Sequence, residues 1–547
     1  MSQNNILFHK WPDNEACLYR EEGYWIDKPL TDLLLKTHDF DKNRTAIICN
    51  NRHFSYQQLD ELSTNLAYNL ASMGLTKGDI ALVQLPNVAE FYITFFALLK
   101  IGVAPLNAIY SHKQHELASF IEIINPKILI TDNHHPVFKD ENFLQNLAPC
   151  NLLPPLILQL NAKCQTRNLE HWIFNTPSAE NTKTFTISTT KAEEVAFFQL
   201  SGGSTGTPKI IPRTHNDYYY SVRASAELCR LTSDSVFLCV LPAAHNFTLS
   251  SPGALGVFYA GGCVVMTQNP EPTHCFQLIE QHRVSIVSLV PSLATAWMSA
   301  VTGIEEKIKS LQLIQVGGAY LPEIVARKIP KVFNCKLQQV FGMAEGLVNY
   351  TRLDDSDEIV ATTQGRPLSN HDLIKIVDEN GDKLPKGEVG ALLTKGPYTF
   401  QGYYKAELHN KKIFDDDGFY RTGDLVRLTP DGYIQVVGRI KDQINKSGEK
   451  IAAEEIENLL LQHTAIQDVA VVSITNDNLE EKTCAVLVPK QETLSLFAIR
   501  KHLMQIGIAD YKLPDFIYLL DCIPLTAIGK PDKKTLRTLV QKTLFNH

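Results

Sequence analysis

Short apolar runs alternate with longer segments along much of this chain, and the alternation limits the folds it can adopt. Several of the intervening segments have helical spacing; one of them begins with a capping box at 55–58 and places Leu59, Leu62, Leu66 and Leu70 on one face. Strands that alternate with helices predict α/β layers with mixed or parallel sheets, whose ligands bind beyond the strand ends. The candidate strands lie at 80–85, 127–131, 195–200, 236–241, 263–266, 284–290 and 311–316.

The pattern of apolar segments and turn signals changes after Gly365. Turn signals that end in Gly381, Gly418 and Gly432 separate apolar segments there and predict a β-rich subdomain. After Gly438, patterns for two helices and two strands indicate a small α+β unit. Because 547 residues exceed what one core usually organises, we expect a large domain at 1–438, a hinge at 439–441 and a small domain at 442–547.

Composition excludes several classes of function. A net charge of -7 argues against nucleic acid as the main partner, because no basic excess is available for a phosphate backbone. The 11 cysteines form no Cys-x-x-Cys pair, which favours reduced thiols in the cytosol. The N-terminus lacks the pattern of a secretory signal, and the apolar run at 91–99 is too short to span a membrane. We therefore expect a cytoplasmic protein that needs neither a membrane nor nucleic acid.

A loop at 201–209 reads Ser-Gly-Gly-Ser-Thr-Gly-Thr-Pro-Lys and follows an apolar candidate strand. Its glycines let backbone N–H groups turn towards an anion, while hydroxyls and a lysine add donors and charge. A Walker loop has glycine directly before the lysine and Ser or Thr after it, whereas this loop has Pro208 and Ile210. The loop predicts a phosphate site rather than a linker, formed by Ser201, Gly202, Gly203, Ser204, Thr205, Gly206, Thr207 and Lys209.

Further motifs follow in order at 339–345, 420–424, 438–442 and 524–530. Together with the loop they resemble the adenylate-forming superfamily, which includes acyl-CoA synthetases, firefly luciferase and the adenylation domains of nonribosomal peptide synthetases. The segments 212–220 and 242–246 are most similar to the stand-alone aryl acid ligases of siderophore synthesis, particularly those for 2,3-dihydroxybenzoate. The resemblance implies a large N-terminal domain with two α/β sheets and a β-rich subdomain, hinged to a small mobile α+β domain.

The resemblance also implies ATP and Mg²⁺ as cofactors. Glu345 matches the glutamate that binds Mg²⁺, and Asp424 matches the aspartate that accepts both ribose hydroxyls, with Arg439 nearby. The family usually has Thr before this glutamate, but this chain has Ala344. The adenine would stack on an aromatic ring beside glycine-rich backbone, a role that falls to Gly317, Gly318, Ala319, Val340, Phe341 and Gly342.

The predicted chemistry needs no general base, because an aryl carboxylate is already ionised at neutral pH. Catalysis must come from positioning and charge neutralisation, and Lys530 matches the family's catalytic lysine between the carboxylate and the α-phosphate. A second half-reaction would rotate the small domain about Lys441, so that Gly448 leaves space for a phosphopantetheine arm. We expect the acceptor to be an aryl carrier protein supplied in trans.

The acid is predicted from the pocket positions of the family. Asn246 replaces the Asp of amino-acid-activating relatives and favours a phenolic hydroxyl over an ammonium, with His245 beside the carboxylate. Val348 is one methylene smaller than the Leu that salicylate ligases tend to carry, which favours 2,3-dihydroxybenzoate. A salicylate ligase and an aryl- or acyl-CoA synthetase are the alternatives. The predicted pocket comprises Asn246, Phe247, Ser251, Gly318, Val340 and Val348.

Overall fold

The computed structural model of the 547-residue chain describes residues 6–35, 41–139, 141–184, 187–201, 209–446, 449–475, 481–490, 494–506, 508, 510–526 and 529–545. Its strands are β1 (Thr45–Cys49), β2 (Arg52–Ser55), β3 (Ile80–Val83), β4 (Ala104–Asn107), β5 (Ile128–Asp132), β6 (Leu156–Leu160), β7 (Val195–Leu200), β8 (Ile210–Thr214), β9 (Val236–Cys239), β10 (Cys263–Met266), β11 (Ile286–Leu289), β12 (Leu313–Gly317), β13 (Lys336–Met343), β14 (Gly346–Tyr350), β15 (Arg366–Pro367), β16 (Leu373–Val377), β17 (Val389–Lys395), β18 (Tyr420–Leu428), β19 (Ile434–Arg439), β20 (Gln443–Lys446), β21 (Glu449–Ala452), β22 (Ile466–Thr475), β23 (Glu481–Pro489) and β24 (Phe516–Leu519).

The helices, in chain order, are α1 (Asp13–Glu21), α2 (Asp32–Leu35), α3 (Tyr56–Ser72), α4 (Ala89–Lys100), α5 (Gln114–Ile124), α6 (Asn142–Leu147), α7 (Leu169–Phe174), α8 (Ala179–Thr184), α9 (His215–Leu228), α10 (Asn246–Ser250), α11 (Gly253–Ala260), α12 (Pro272–His282), α13 (Pro291–Ala300), α14 (Glu323–Ala326), α15 (Ile329–Phe333), α16 (Asp357–Thr362), α17 (Glu407–Ile413), α18 (Ala453–Leu460), α19 (Leu496–Ile506) and α20 (Lys533–Phe545).

Two mixed sheets form the first part of the chain, as the alternating pattern predicts. The larger has the order β15-β14-β13-β12-β11-β9-β10-β1-β2. Its six neighbouring strands β13, β12, β11, β9, β10 and β1 run parallel. The smaller has the order β6-β5-β3-β4-β7-β8, parallel except for β8. The carboxyl ends of β7, β9, β12 and β13 lead into the segments predicted to bind ligands, the position that parallel sheets favour.

The apolar run at 91–99 forms most of α4, and its burial explains why it is apolar on all sides. Every residue of this helix except the terminal Lys100 is buried, within a core that also takes residues from β1, β3, β7 and β9. A helix that is hydrophobic all round belongs in such a core. Across the described residues, no helix combines the length and the apolar character needed to cross a membrane.

The later part of the chain also forms the β-rich subdomain and the small α+β unit that the sequence predicts. The antiparallel strands β16-β17-β18-β19 form a separate sheet, and Gly432 adopts a φ of +81° in the turn between β18 and β19. After Arg439 the chain forms the β20-β21 pair and the β22-β23-β24 sheet, together with α18, α19 and α20. The mixed α/β and α+β fold with a large and a small unit is therefore confirmed, whereas the exact boundary at 439–441 stays a prediction.

Candidate active site

The predicted phosphate loop is closed at its base by a pair of hydrogen bonds. Antiparallel strands β7 and β8 end here, where the Ser201 N–H donates to the Lys209 carbonyl and the Lys209 N–H to Ser201 Oγ, both at 2.9 Å. The Lys209 ammonium lies 5.5 Å from the centroid of the Tyr403 ring. The ends of the loop are thus fixed on the smaller sheet, while Gly202, Gly203, Ser204, Thr205, Gly206 and Thr207 lie outside the described residues.

Glu345 lies in the turn between β13 and β14, close to the base of this loop. Its side chain is buried, and the Tyr403 hydroxyl donates to Oε1 at 2.7 Å while also lying 3.2 Å from the Tyr420 hydroxyl. Burial raises the pKa of Glu345, and the bond from Tyr403 opposes that rise.

These features suit a magnesium ion held mainly by the nucleotide. Mg²⁺ usually takes one or two carboxylates and completes its shell with water and substrate phosphates. The described residues contain no group of three or more His, Cys, Asp or Glu side chains that could hold a metal by themselves. Glu345 offers one hard oxygen next to the predicted phosphate site, so it fits Mg²⁺ bound together with ATP.

Asp424 on β18 presents one satisfied and one unsatisfied oxygen. Its carboxylate is 2% exposed, and Oδ1 accepts the Arg439 Nε–H at 2.6 Å across the β18-β19 pair. Oδ2 is buried and has no hydrogen-bond partner among the described residues. Because buried polar atoms are normally hydrogen-bonded, this orphan acceptor calls for a donor from a ligand. A ribose hydroxyl is such a donor, as the sequence predicts.

The predicted adenine segment is shaped partly by protein packing. A Cβ on Gly317 would lie 2.5 Å from the Val340 carbonyl and 3.1 Å from Cζ of Phe247, so close packing already requires glycine here. Neighbouring Gly318 has a φ of +81°, which also favours glycine. Phe341 is partly buried against the core of the β-rich sheet. Ala319, Phe341 and Gly342 stay predicted nucleotide contacts.

The aromatic and aliphatic residues predicted to surround the acid lie together. Phe247, Val340 and Val348 belong to one buried cluster that also contains the rings of Tyr220 and Tyr398. The Val348 N–H donates to the Tyr398 hydroxyl at 3.2 Å, and that hydroxyl donates to Asp372 at 2.5 Å. The wall formed by Val348 is therefore held from behind by a hydrogen-bond chain.

Polar side chains predicted to contact the acid lie at the start and at the end of α10. His245 caps this helix by accepting the Phe247 N–H on Nδ1 at 3.2 Å, and Asn246 Oδ1 accepts the Tyr218 hydroxyl at 2.9 Å. Ser251 is buried at the far end, beside the Tyr350 hydroxyl. Burial, with a contribution from the charge of Lys530, lowers the pKa of His245 to about 4. The imidazole is therefore neutral at pH 7 and serves as a hydrogen-bond group.

The small domain delivers Lys530 to this site. The 525–531 turn is closed by the Thr526 N–H, which donates to the Lys530 carbonyl at 2.7 Å, and it docks where the Ser292 hydroxyl donates to the Gly529 carbonyl at 3.4 Å. The positive charge of Lys530 reaches both His245 and Asp424, and it opposes the rise in pKa that burial causes at Asp424. The charge of Lys530 therefore acts on a residue of the candidate acid pocket and on a residue of the candidate ribose site.

Two further residues, Lys441 and Gly448, are predicted for the second half-reaction. Lys441 lies in a short 3-10 turn, Ile440–Asp442, directly after β19. Gly448 lies outside the described residues. Their roles in domain rotation and in passage of the phosphopantetheine arm stay predictions.

Arg213 lies in the 212–220 segment and is a structural residue of the site to which the sequence motifs assign no role. Its buried guanidinium donates to Asp217 at 3.1 Å, to the Ala344 carbonyl at 2.9 Å and to the Tyr398 carbonyl at 3.0 Å. It therefore joins β8, the Glu345 turn and the wall of the acid pocket. The arginine two residues after an apolar pair, Ile210-Ile211, was the available signal, because a strand interior rarely holds an unpaired charge.

The fold and these residues form a candidate enzyme site, with a predicted phosphate loop, a buried carboxylate predicted to bind ribose and a lysine predicted to be catalytic. The chain matches AMP-binding enzymes over residues 37–404 and the C-terminal domain of AMP-binding enzymes over 455–530. It belongs to the AMP-binding enzyme family, which confirms the adenylate-forming class predicted from the sequence.

Relatives with known names cover nearly the whole chain. It is 54% identical to pseudomonine synthase PmsE of Pseudomonas entomophila, over 98% of this chain and 87% of that protein. It is 48% identical to the vibriobactin-specific 2,3-dihydroxybenzoate-AMP ligase of Vibrio cholerae, over 97% of both chains. The solved apo structure of MbtA from Mycobacterium smegmatis is similar with a TM-score of 0.74 and 39% identity, over 97% of this chain and 98% of MbtA.

Proposed function

We propose that this protein joins 2,3-dihydroxybenzoate to ATP, giving 2,3-dihydroxybenzoyl-AMP and pyrophosphate, and then transfers the aryl group to a phosphopantetheine thiol of a separate aryl carrier protein. The observation that carries the proposal is the convergence of three groups. The charge of Lys530 reaches His245 at the acid pocket and Asp424, whose Oδ2 is buried with no hydrogen-bond partner in the described part of the chain. An acid and a nucleotide bound at these places would meet beside the lysine.

In the first half-reaction, a carboxylate oxygen of the acid bonds to the α-phosphorus of ATP while the bond from that phosphorus to the pyrophosphate oxygen breaks. Two anions must approach, so the chief requirement is neutralisation of charge in the transition state. Lys530 supplies a positive charge between them, and Asp424 orients the ribose. Mg²⁺ at Glu345 would neutralise charge on the phosphates.

The choice of acid rests on the pocket and on the relatives. The pocket is lined by uncharged groups near Asn246, which suits a phenol better than an ammonium. The Vibrio cholerae relative is named for 2,3-dihydroxybenzoate, which supports the dihydroxy acid over salicylate. We expect salicylate to be a slower substrate, since one hydroxyl fewer loses only part of the contacts. The carrier protein, Mg²⁺ and a cytoplasmic location are part of this proposal.

Pyrophosphate exchange into ATP tests the first half-reaction. We expect exchange with 2,3-dihydroxybenzoate to exceed that with salicylate, and both to exceed benzoate and anthranilate. Absence of exchange with any hydroxybenzoate would contradict the proposed substrate. Transfer of the aryl group from the adenylate, compared between an aryl carrier protein and coenzyme A, separates the ligase from the acyl-CoA synthetase alternative.

Replacement of Lys530 tests the catalytic assignment. We expect Lys530→Ala to lower the exchange rate by roughly 100-fold or more, because one charged contact to the transition state is lost. Lys534→Ala is the matched control, since it removes an exposed lysine from the same region. If Lys530→Ala retained the activity of Lys534→Ala, the role of Lys530 would be wrong.

A further inference from the structure

A chain of hydrogen bonds fixes the orientation of the Asn246 amide. The Gln199 amide donates to the Tyr218 hydroxyl at 3.4 Å, and that hydroxyl donates to Asn246 Oδ1 at 2.9 Å. The Ser250 hydroxyl lies 3.5 Å from the same oxygen. The acceptor end of the amide is thus occupied, whereas Nδ2 has no hydrogen-bond partner among the described residues.

Tyr218 is held firmly enough to act as this anchor. The residue is 1% exposed, and its ring packs edge-on against Phe197 at 4.7 Å between centroids, with the Arg213 guanidinium 5.2 Å from the ring centroid. Burial raises the pKa of Tyr218 to about 12, so the hydroxyl keeps its proton at neutral pH and can donate it. Rotation of the amide would point its N–H groups at a donor and would lose this hydrogen bond.

We propose that Tyr218 is a specificity-determining positioning residue, which holds the Asn246 amide so that Nδ2 is a fixed donor towards the ortho substituent of the acid. The inference rests on the proposed function and deepens it. A fixed N–H donor can hydrogen-bond to an ortho oxygen of the acid. It disfavours an ortho group that itself presents a hydrogen. The site therefore selects 2-hydroxybenzoates against 2-aminobenzoate by the orientation of one amide.

The chemistry of the two acids explains the selection. In salicylate the phenolic proton turns towards the neighbouring carboxylate, so the oxygen offers lone pairs to Nδ2. In anthranilate one amino hydrogen turns towards the carboxylate and the other points outward, while the nitrogen lone pair is delocalised into the ring. Anthranilate would therefore place an N–H against the N–H of Asn246, and a buried donor without an acceptor is unfavourable.

The experiment compares Tyr218→Phe with Tyr219→Phe in the full-length protein. Each variant removes one hydroxyl from a buried tyrosine of α9, but the Tyr219 hydroxyl donates to Asp32 at 3.3 Å instead of to Asn246. For each protein, kcat/KM is measured by pyrophosphate exchange with salicylate and with anthranilate. Loss of the anchor lets the amide rotate, so we expect the salicylate-to-anthranilate ratio to fall roughly tenfold in Tyr218→Phe, about the value of one hydrogen bond. The ratio stays at the native value in Tyr219→Phe.

The ratio distinguishes positioning from general damage. A variant that merely loosens the fold lowers both rates together, so an unchanged ratio in Tyr218→Phe overturns the inference even if activity falls. Equal activation of salicylate and anthranilate by the unaltered protein also overturns it, and this test needs no variant to fold. If the unaltered protein activates no hydroxybenzoate, the proposed function fails instead. If the native protein prefers salicylate to anthranilate and Tyr218→Phe does not, the result supports both the proposed function and the inference about Tyr218.

Discussion

At the scale of single residues, the site is marked by polar atoms whose protein partners are incomplete. Within the described residues Asp424 Oδ2 is buried without a hydrogen-bond partner, and the buried Glu345 carboxylate accepts a tyrosine hydroxyl on Oε1. Such groups cost stability in the free protein, because burial removes water without replacing its hydrogen bonds. The cost is offset when a ligand supplies the missing donor or cation.

Asp424→Asn tests this account at the candidate ribose site. The amide replaces one acceptor with a donor and removes the charge opposite Arg439, so contact with a ribose hydroxyl is weakened. Hydrogen bonds to charged groups contribute about 1.5 to 3 kcal/mol, which predicts a KM for ATP raised roughly 10- to 100-fold. The KM for the acid should change much less. Equal effects on both substrates would indicate general disruption rather than loss of a ribose contact.

Asp372 allows a prediction about pH. Burial raises its pKa from 3.8 to about 7, although the Tyr398 hydroxyl and a backbone N–H donate to it. The folded carboxyl keeps its proton up to about pH 7, whereas the unfolded one loses it near pH 4, so stability falls as pH rises across this window. The Asp372→Asn variant has no titrating carboxyl group at this position. The melting temperature of the variant minus that of the native protein should therefore increase from pH 4.5 to 7.5. The exposed Asp417→Asn serves as control, and a parallel pH dependence in all three proteins would contradict the assignment.

At the scale of elements, the site depends on ties between strands that are distant in sequence. Arg213 on β8 donates to the carbonyls of Ala344 and Tyr398 and is neutralised by Asp217 at the start of α9. One side chain thereby sets the distance between the phosphate loop strand, the Glu345 turn and the pocket wall. Burial raises the pKa of Asp217 to about 6, and the charge of Arg213 opposes this rise.

Arg213→Lys should therefore act on catalysis as well as on stability. Lysine keeps a charge for Asp217 but lacks the planar fork that reaches three acceptors at once. Since small displacements of catalytic groups cost up to about 100-fold, we expect kcat to fall roughly 10- to 100-fold, with a lower melting temperature. Arg223→Lys is the control, because Arg223 donates to the Gly23 carbonyl at 2.7 Å, away from these strands. A lower melting temperature with native kcat would limit Arg213 to a structural role.

At the scale of the whole molecule, motif order and periodicity predict the architecture well but predict contacts between distant segments poorly. The candidate strand at 263–266 is found as β10, and the capping box at Ser55 starts α3 as expected. By contrast, nothing in the spacing of Tyr403 or Tyr218 indicates that their hydroxyls reach Glu345 and Asn246. These bonds depend on how the sheets and the β-rich subdomain pack together, and local sequence patterns carry no information on that packing.

Docking of the small domain gives the last prediction. Gly529 has a φ of +78°, and a Cβ there would lie 3.2 Å from Cγ2 of Val290 on the large domain. Gly529→Ala combines backbone strain with a tight contact at the docked turn, so we expect pyrophosphate exchange to fall about tenfold, from a cost of roughly 1 kcal/mol or more. Gly432→Ala is a matched control, since its φ is +81° and its Cβ would have no atom within 4 Å.

Transfer from preformed aryl-adenylate to the carrier should be unchanged in both variants, because the proposed rotation removes this turn from the site. Equal loss of exchange in the two variants, or an equal loss of both half-reactions in Gly529→Ala, would show that docking of Lys530 does not limit the first step.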